Sequence, residues 1–444
     1  MPEALFGLVE SEVARRGGGQ SELYLSRERA RRYDARGGGI DSISFSDSLS
    51  LGVRVFRNGR MGFSYGFRED GEEIARMVDA AVFCADSSDP DPAYGLPDAG
   101  AGLSGTNLFD PAWESVDDRE KAEFASFLES ATLAFDPRMK RVRSASLKET
   151  VEEIRFWNSS GRSGLCRASR YFASVDSVAE QGDESQTGYG FGFARRFADL
   201  RARAIAEEAG RRAVRMLGAR RLPTGRRPAI LENGAAAELI EVMIPSFLAS
   251  QVAKGKSMLA GKTGKAVASE NVRIADDPLD PAGSGAASFD GEGTPSRLNV
   301  LVAGGVLKGF LSDSFWGRKL GTGSTGSCRR PGSKTPPTPG ISNLLVSPGD
   351  MTPEDMRRRL GAGILLTEFL GIHTADPVSG DFSVGAAGIR FEGGEEREPV
   401  RGFAVSGNVL SLLSQVAEAG SDFRWFGNVG SPSLAIPEIS VGGE

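Results

Sequence analysis

A strict alternation of apolar and polar side chains constrains the fold of this chain more than any other feature. Apolar residues stand at alternate positions over much of 43–55, and the same alternation resumes over 61–65. Between the two runs stands Asn58-Gly59, a pair that accepts the positive φ angles of a tight hairpin turn. The pattern therefore predicts an antiparallel β-hairpin with one buried face.

Other segments carry apolar residues with the three- to four-residue period of an amphipathic helix. The segments that this period predicts to be helical are 2–16, 74–81, a stretch around 124–128, 198–218, 235–253 and 352–362. Ser115 and Asp118 resemble a capping box at the start of the third of these helices. Further strands are expected near 141–157, 165–176 and 189–193, and short strands joined by Gly, Pro and Asp turns fill much of the second half.

Helices and antiparallel strands that follow one another in blocks indicate an α+β protein rather than a doubly wound sheet. The length of 444 residues predicts two or three domains, at roughly 100–200 residues for each. The best boundary is Leu222-Pro223-Thr224-Gly225, because a predicted helix ends there and a short apolar run begins a strand. We therefore expect an N-terminal domain over 1–221, with an antiparallel sheet and packed helices, and a β-rich C-terminal domain with few helices over 222–444.

The chain contains a single histidine, His373, and this scarcity excludes whole classes of active site. Zinc sites with two histidines, HExxH helices and facial triads all need at least two imidazoles. The three cysteines, Cys84, Cys166 and Cys328, stand far apart and form no C-x-x-C pair. An odd number of separate cysteines fits a reduced compartment and predicts no structural zinc.

Charge and hydropathy indicate a soluble, cytoplasmic protein. The first residues resemble no secretion signal, and the sequence has no stretch of about 18 apolar residues that could cross a membrane. The formal net charge is −6, whereas a general binder of the phosphate backbone needs a clustered field of basic residues. We therefore expect no membrane association and no direct contact with nucleic acid.

Three loops carry residue types that could do chemistry, but each also has a simpler interpretation. The loop 255–263 has five residues between its glycines, where a phosphate-binding P-loop needs four. Asp290 and Glu292 could act as paired catalytic carboxylates, although acids two positions apart among glycines are more often turn formers. Cys328 could act as a nucleophile with His373 as its base, although the surrounding sequence is more typical of a flexible loop.

Several segments, in their order along the chain, resemble the TldD/PmbA proteins, a metallopeptidase family also called modulators of DNA gyrase. The segments are 52–63, 222–225, 255–265, 288–297, 305–309, 324–326 and 379–383. The resemblance covers roughly residues 45–444, and agreement of so many ordered motifs by chance is improbable.

The resemblance implies which branch of the family this chain represents. TldD-like subunits carry a HExxxH helix, completed by a downstream cysteine, and are metal-dependent peptidases whose site lies inside a dimer. PmbA (TldE) subunits share the fold without those ligands. The corresponding helix here, 235–244, has no histidine, and the closing segment 425–430 has no cysteine. The chain therefore resembles the metal-free subunit, and zinc or another divalent metal is expected in its TldD-like partner.

The resemblance also implies partners and substrates. Such a subunit would form a heterodimer with a TldD-like subunit, or a homodimer, and would act in the proteolysis of unstructured peptides or small proteins. The loops expected to line the substrate channel or the subunit interface are 288–297 and 322–330. Their candidate residues are Asp290, Glu292, Thr294, Ser324, Thr325 and Arg329.

Two other functions stay open from the sequence. The chain could be a non-enzymatic, homodimeric peptide-binding protein that shares the family's fold. Less expected is a metal-independent hydrolase that uses Asp290 with Glu292, or Cys328 with His373. Any effect on gyrase would be indirect, through the processing of a peptide or small protein, because the charge pattern offers no DNA-binding field.

Overall fold

The computed structural model describes residues 2–97, 107–332 and 334–443. Its N-terminal half contains one six-stranded antiparallel sheet with the strand order β3-β2-β1-β4-β5-β6. The strands are β1 (Gln20–Arg36), β2 (Gly39–Arg57), β3 (Arg60–Gly66), β4 (Met139–Asn158), β5 (Ser163–Gln181) and β6 (Glu184–Ala194). The predicted hairpin is confirmed, because β2 and β3 pair across a turn in which Asn58 has φ 52° and Gly59 has φ 68°.

The prediction that this hairpin buries one face is wrong in detail. Residues 51–56 of β2 are buried on both faces, because helices cover one side of the sheet and the C-terminal half packs on the other. Farther from the turn, Ile43 and Phe45 are 57% and 61% exposed. In that region β2 extends beyond β3, so that the strand borders on solvent.

Strand β1 was missed by the sequence analysis, although it lies in the middle of the sheet between β2 and β4. Its sequence is rich in Arg and Glu, so that the alternation of apolar residues is weak. Cross-strand ion pairs accommodate these charges: Arg27 pairs with Asp47 on β2 at 2.7 Å. Leu23 and Tyr33 of the same strand are fully buried.

Four helices pack on one face of this sheet. They are α1 (Pro2–Arg15), α2 (Gly71–Ser87), α3 (Asp118–Leu133) and α4 (Ala202–Arg215). Glycines let the backbones approach closely, since a Cβ atom at Gly62 would lie 1.8 Å from the carbonyl oxygen of Ala81. The predicted capping box of α3 is wrong: Asp117 caps the helix by accepting from the Arg119 amide, and Ser115 donates to Ala112 instead.

The C-terminal half is built from short strands around one large core. Its strands are β7 (Gly225–Leu231), β8 (Ile274–Asp276), β9 (Asn299–Ala303), β10 (Val306–Leu307), β11 (Cys328–Arg329), β12 (Thr338–Pro339), β13 (Leu344–Val346), β14 (Ala362–Leu370), β15 (Asp381–Glu392), β16 (Glu395–Asn408), β17 (Glu418–Ala419), β18 (Arg424–Phe426), β19 (Val429–Ser431) and β20 (Leu434–Gly442). One sheet has the order β16-β15-β14-β7-β20-β17, and an additional β16–β20 pairing closes it into a barrel. A second sheet has the order β10-β9-β8-β13-β19-β18, and β11 pairs with β12.

The helices of this half are short. They are α5 (Asn233–Val242), α6 (Ala249–Ala253), α7 (Ser314–Leu320), α8 (Pro353–Leu360) and α9 (Val409–Ser414). The single helix predicted over 235–253 is therefore wrong, because a 3-10 turn with Pro245 near its start separates α5 from α6. Helices α7 and α9 were not predicted, because they are too short to show a helical period.

The predicted α+β class is confirmed by the antiparallel sheet with its packed helices and by the β-rich second half. Within the parts of the chain that the structure describes, every helix is too short or too polar to cross a lipid bilayer. The two halves pack against each other, and the contact between them contains the cavity considered next.

Candidate functional site

A cleft runs between the two halves of the molecule. Its walls come from β6 and α4 on the N-terminal side, and from α5, β14 and β18 on the C-terminal side. The cleft consists of two hollows of about 480 and 440 Å³, which share Phe191, Arg212 and Arg215 in their walls. These volumes lie within the range of about 300–1,000 Å³ that is typical of small-ligand sites.

Ion pairs fill the wall of the larger hollow. Arg424 on β18 donates to both carboxylate oxygens of Glu208 on α4, at 2.5 and 2.9 Å. The Arg424 guanidinium also lies 4.4 Å from the centre of the Phe191 ring. Because Arg424 and Glu208 belong to different halves, this contact helps to hold the cleft at its present width.

Two further pairs neutralise the arginines that the hollows share. Arg212 lies 2.8 Å from Glu208, and Arg215 donates to Glu232 at 3.0 and 2.8 Å. Arg215 stands on α4 and Glu232 just before α5, so this pair also crosses between the halves. The two arginines that the hollows share are therefore both paired with carboxylates of the cleft.

The smaller hollow combines aromatic rings with carboxylates, and we call it the acidic hollow. We define it by Tyr189, Phe191, Glu238, Glu241, Glu368 and Phe426, all of which line it. The Tyr189 and Phe191 rings lie 6.0 Å apart, and the Phe191 and Phe426 rings 5.7 Å apart. The buried face of α5, with Leu239 and Ile240, packs into the core, whereas its Glu238 and Glu241 line the hollow.

Glu238 has an unusual environment for a carboxylate. Burial raises its pKa to about 7, with repulsion from Glu368 and Glu241 acting in the same direction, and the Phe369 backbone and Arg212 oppose the shift. Its Oε2 atom is buried and accepts no hydrogen bond in the described structure. Burial likewise raises the pKa of Glu241. By accessible surface Glu241 and Glu368 are exposed to solvent, whereas Glu238 is half-buried, so that its carboxylate is the least solvated of the three.

The structure brings together the two segments that the sequence analysis singled out for their missing metal ligands. Helix α5 contacts β18 and β19, and a Cβ atom at Gly234 would lie 3.3 Å from the Phe426 ring. Among residues 2–97, 107–332 and 334–443, no group of three or more His, Cys, Asp or Glu side chains is placed to hold a metal ion. The residues present here therefore do not fit a catalytic metal centre.

The six candidate residues of the sequence analysis lie elsewhere, in two loops that contact each other. Asp290 is buried and accepts from the amides of Glu292, Thr294 and Cys328 at 2.8–3.0 Å. It therefore has the geometry of a turn former. Burial, together with repulsion from Glu292, raises the pKa of Asp290 to about 6.

Glu292 joins the two halves. It accepts from Arg54 of β2 at 2.9 Å and from the Ser314 amide at 2.9 Å. Arg54 also donates twice to Glu22 of β1, at 2.6 Å each, and Arg330 donates to Glu22 as well. Although burial alone would raise the pKa of Glu22, Arg54 and Arg330 lower it.

The other four candidate residues are partly exposed on the same loops. The Thr325 hydroxyl donates to the Ser312 carbonyl at 3.0 Å, and the Ser324 carbonyl accepts from Arg297. The Nε and Nη2 atoms of Arg329 are buried and form no hydrogen bond in the described structure. The same holds for the hydroxyl of Thr294.

Cys328 and His373 do not provide an activated nucleophile. Burial and the neighbouring carboxylates raise the pKa of the fully buried Cys328 thiol well above its usual range. His373 is exposed on a 3-10 turn, Ile372–Thr374. A thiol that stays protonated and is closed to solvent lacks the properties of a catalytic cysteine.

The acidic hollow itself was not predicted. Glu238 and Glu241 were within the segment 235–244 that the sequence analysis noted, but only for its lack of histidine. Glu368 lies on β14, and Tyr189 on β6, at sequence distances that no local pattern connects. The helical spacing of Gly234, Glu238 and Glu241 on one face of α5 was the available signal.

Comparisons with known proteins agree along the whole chain. Models of the PmbA/TldA metallopeptidase match in three parts: domain 1 over residues 21–85, the central domain over 111–217 and the C-terminal domain over 224–443. The chain is 27% identical to metalloprotease PmbA of Escherichia coli O157:H7, over 96% of this chain and 92% of that protein. It is 26% identical to a metalloprotease TldD homolog of Haemophilus influenzae, over 95% and 92%. The structure of TldE from Thermococcus kodakarensis superposes with a TM-score of 0.90 at 22% identity, over 99% of this chain and 100% of that one.

Proposed function

The chain belongs to the PmbA/TldD metallopeptidase family, and from this membership we propose that it is a PmbA/TldE-type subunit without a metal site of its own. In this proposal it forms a cytoplasmic heterodimer with a TldD-like subunit, which holds zinc or another divalent metal. The metal supplies the activated water for peptide hydrolysis. The assembly acts on unstructured peptides or small proteins, and this chain forms part of the wall around the substrate.

One observation carries the proposal: the described lining of the cleft where α5 meets β18 lacks the groups used by metallopeptidases, serine peptidases and cysteine peptidases. Such peptidases use a metal-bound water, or a serine or cysteine nucleophile with an adjacent base. Of the described residues that line the two hollows, none is histidine, cysteine or serine. This lining supports the proposal that the chain contributes to binding and that its partner contributes the cleavage.

The loops 288–297 and 322–330 have different roles within this proposal. Asp290 and Glu292 are internal residues that fix the loop shape and the contact between the halves. Their partly exposed neighbours, Thr294, Ser324, Thr325 and Arg329, are the side chains that we propose to contact the partner subunit or the substrate.

Co-expression with a TldD-like subunit from the same genome tests the proposal. We expect the two chains to co-elute at a 1:1 ratio, with stoichiometric metal in the pair and substoichiometric metal in this chain alone. Peptide cleavage should require both chains and should stop when a chelator is added. Failure of the chains to associate, or full cleavage by the TldD-like chain alone, would remove the proposal.

The same preparations separate the two alternatives. Light scattering that shows a stable self-dimer, together with peptide binding and indifference to the TldD-like chain, would favour a homodimeric peptide-binding protein. Chelator-resistant hydrolysis by the isolated chain would favour a metal-independent hydrolase. In that case, alanine substitution of Asp290 with Glu292, or of Cys328 with His373, should lower the rate by at least roughly 100-fold.

A further inference from the structure

We propose that the acidic hollow binds a positively charged group, the ammonium of a lysine side chain or the guanidinium of an arginine side chain, from an unstructured peptide. The peptide identity of the ligand rests on the proposed function. The preference for a cation rests on the hollow itself, which is a cavity of about 440 Å³ between the two halves.

The carboxylates of the acidic hollow have no ion-pair partner among the described residues, although Arg212 is near enough to lower the pKa of Glu238. Arg212 and Arg215 are the cations in the wall, and both are engaged by Glu208 and Glu232. Across the described residues, no lysine or arginine forms an ion pair with the three carboxylates that face the hollow. These carboxylates are Glu238, Glu241 and Glu368.

One carboxylate oxygen of Glu238 has no hydrogen-bond partner among the described residues. Its Oε2 atom is buried and accepts no hydrogen bond in the described structure, whereas buried polar atoms in proteins nearly always have a partner. A ligand that donates N–H groups would supply the missing bond. An anionic ligand would meet repulsion from the same three side chains and is therefore disfavoured.

The aromatic wall of the hollow also favours a cation. Ammonium and guanidinium groups are attracted to the faces of aromatic rings, and Tyr189, Phe191 and Phe426 line the hollow. Two of these rings already hold a guanidinium in this molecule, since Arg424 lies 4.4 Å from the Phe191 centroid and 5.4 Å from the Phe426 centroid. Carboxylates beside aromatic rings favour an organic cation over a metal ion, which prefers a closed set of oxygen or nitrogen ligands.

The test compares two labelled ten-residue peptides by fluorescence anisotropy, with the full chain alone, at pH 8 and low salt. The peptides are identical and unstructured, except that one has a lysine and the other an acetyl-lysine at the same position. We expect the lysine peptide to bind about tenfold more tightly, since one charge-assisted hydrogen bond contributes about this much. Equal affinities, or no binding of either peptide, would overturn the proposal.

Substitutions in the acidic hollow test whether the lysine preference arises there. Glu238→Gln and Glu368→Gln should each weaken binding of the lysine peptide several-fold, and the double variant should bind both peptides equally. Glu438→Gln is the matched control, because Glu438 is exposed on β20 and lies outside the lining of the cleft. Wild-type affinity of the double variant would refute the site. Circular dichroism melting curves establish that each variant is folded.

The binding assay is independent of the subunit proposal. It uses this chain without a partner and measures no cleavage. A lysine preference without association to a TldD-like chain would support the acidic hollow and remove the heterodimer. Association with a TldD-like chain but no lysine preference would support the heterodimer and remove the acidic hollow as a cation site.

Discussion

Arg54 on β2 donates a hydrogen bond of 2.9 Å to Glu292 in the C-terminal half, and the two side chains are only 6% and 2% exposed. Arg54 is held at the same time by Glu22 of its own half, and Glu22 in turn pairs with Arg330. Opposite charges thus alternate from Arg330 through Glu22 and Arg54 to Glu292, and this chain of ion pairs crosses the boundary between the two halves twice. Such a network stabilises a fold only while every charge keeps its partner.

Arg54→Met should therefore destabilise the protein by about 3–5 kcal/mol, because it leaves Glu292 buried with no cationic partner. Urea-induced unfolding followed by tryptophan fluorescence measures the change. The control is Arg226→Met, which breaks an exposed pair with Glu438 and should cost less than about 1 kcal/mol. Equal effects of the two substitutions would contradict the role assigned to the network.

Glycine at position 62 is required by the contact between β3 and α2. A Cβ atom there would lie 1.8 Å from the Ala81 carbonyl oxygen and 2.5 Å from the Ala85 amide nitrogen, and backbone atoms cannot easily move away. We expect Gly62→Ala to cost about 1–3 kcal/mol or to prevent folding. The melting temperature of the purified variant, or its yield of soluble protein, measures this.

Gly7→Ala is the matched control for that substitution. Gly7 lies within α1, and a Cβ atom there would meet nothing within 4 Å. Alanine in an exposed helix is more favourable than glycine by roughly 1 kcal/mol, so the control should melt at the same or a higher temperature. A tolerated Gly62→Ala would show that α2 lies farther from the sheet than described.

The stability of the protein should depend on pH through Glu238. Its pKa is raised to about 7 in the folded state from the ordinary 4.5. The folded state therefore binds its proton more tightly than the unfolded chain, and stability falls as the pH rises from 4.5 through 7. Burial is the main cause, and Glu241 and Glu368 add repulsion that Arg212 partly offsets.

Glu238→Gln should remove this loss of stability at high pH, because glutamine does not ionise. Because the side chain is partly exposed, we expect a stabilisation of about 1–2 kcal/mol at pH 8, which declines towards zero near pH 4.5. Urea unfolding of the wild type and the variant at several pH values gives the difference. A difference that does not change with pH would show that ionisation of Glu238 is not its source.

The parts of the fold that could be predicted from sequence are those with a local cause. The Asn58-Gly59 turn and the alternation around it fixed the β2–β3 hairpin, and the Thr352-Pro353 start signal placed α8. Strand β1 was not predicted because its charged residues obscure the alternation, and several of them pair with residues far away in the sequence, such as Arg27 with Asp47. The local pattern of apolar and polar residues carries no information about a partner that is far away in the sequence.

The candidate site was predictable only in part, for the same reason. The expectation that this chain holds no metal rests on a single histidine and on the segments 235–244 and 425–430, and it stays a prediction. That these segments meet, and that Glu368 joins Glu238 across a cleft, depends on how the barrel and the N-terminal sheet pack. Asp290 and Glu292 follow the simpler interpretation that the sequence offered, since Asp290 accepts from three loop amides and Glu292 accepts from Arg54.

The contact between Arg424 and Glu208 should couple the two walls of the cleft. The pair has two hydrogen bonds, at 2.5 and 2.9 Å, and its side chains are 31% and 12% exposed. A double-mutant cycle with Arg424→Ala and Glu208→Ala isolates the pair from the separate contact of Glu208 with Arg212. We expect a coupling of about 1–2 kcal/mol, more than an exposed pair gives but less than a fully buried one.

The exposed pair Arg119 and Glu123 on α3 provides the comparison cycle. These side chains are 83% and 64% exposed at 2.8 Å, and one turn of helix separates them, so a coupling of about 0.3–0.5 kcal/mol is expected. If the Arg424–Glu208 coupling were no larger, the pair would not hold the cleft. Its width would then depend on the Arg215–Glu232 pair and on the packing of Phe191 against Phe426.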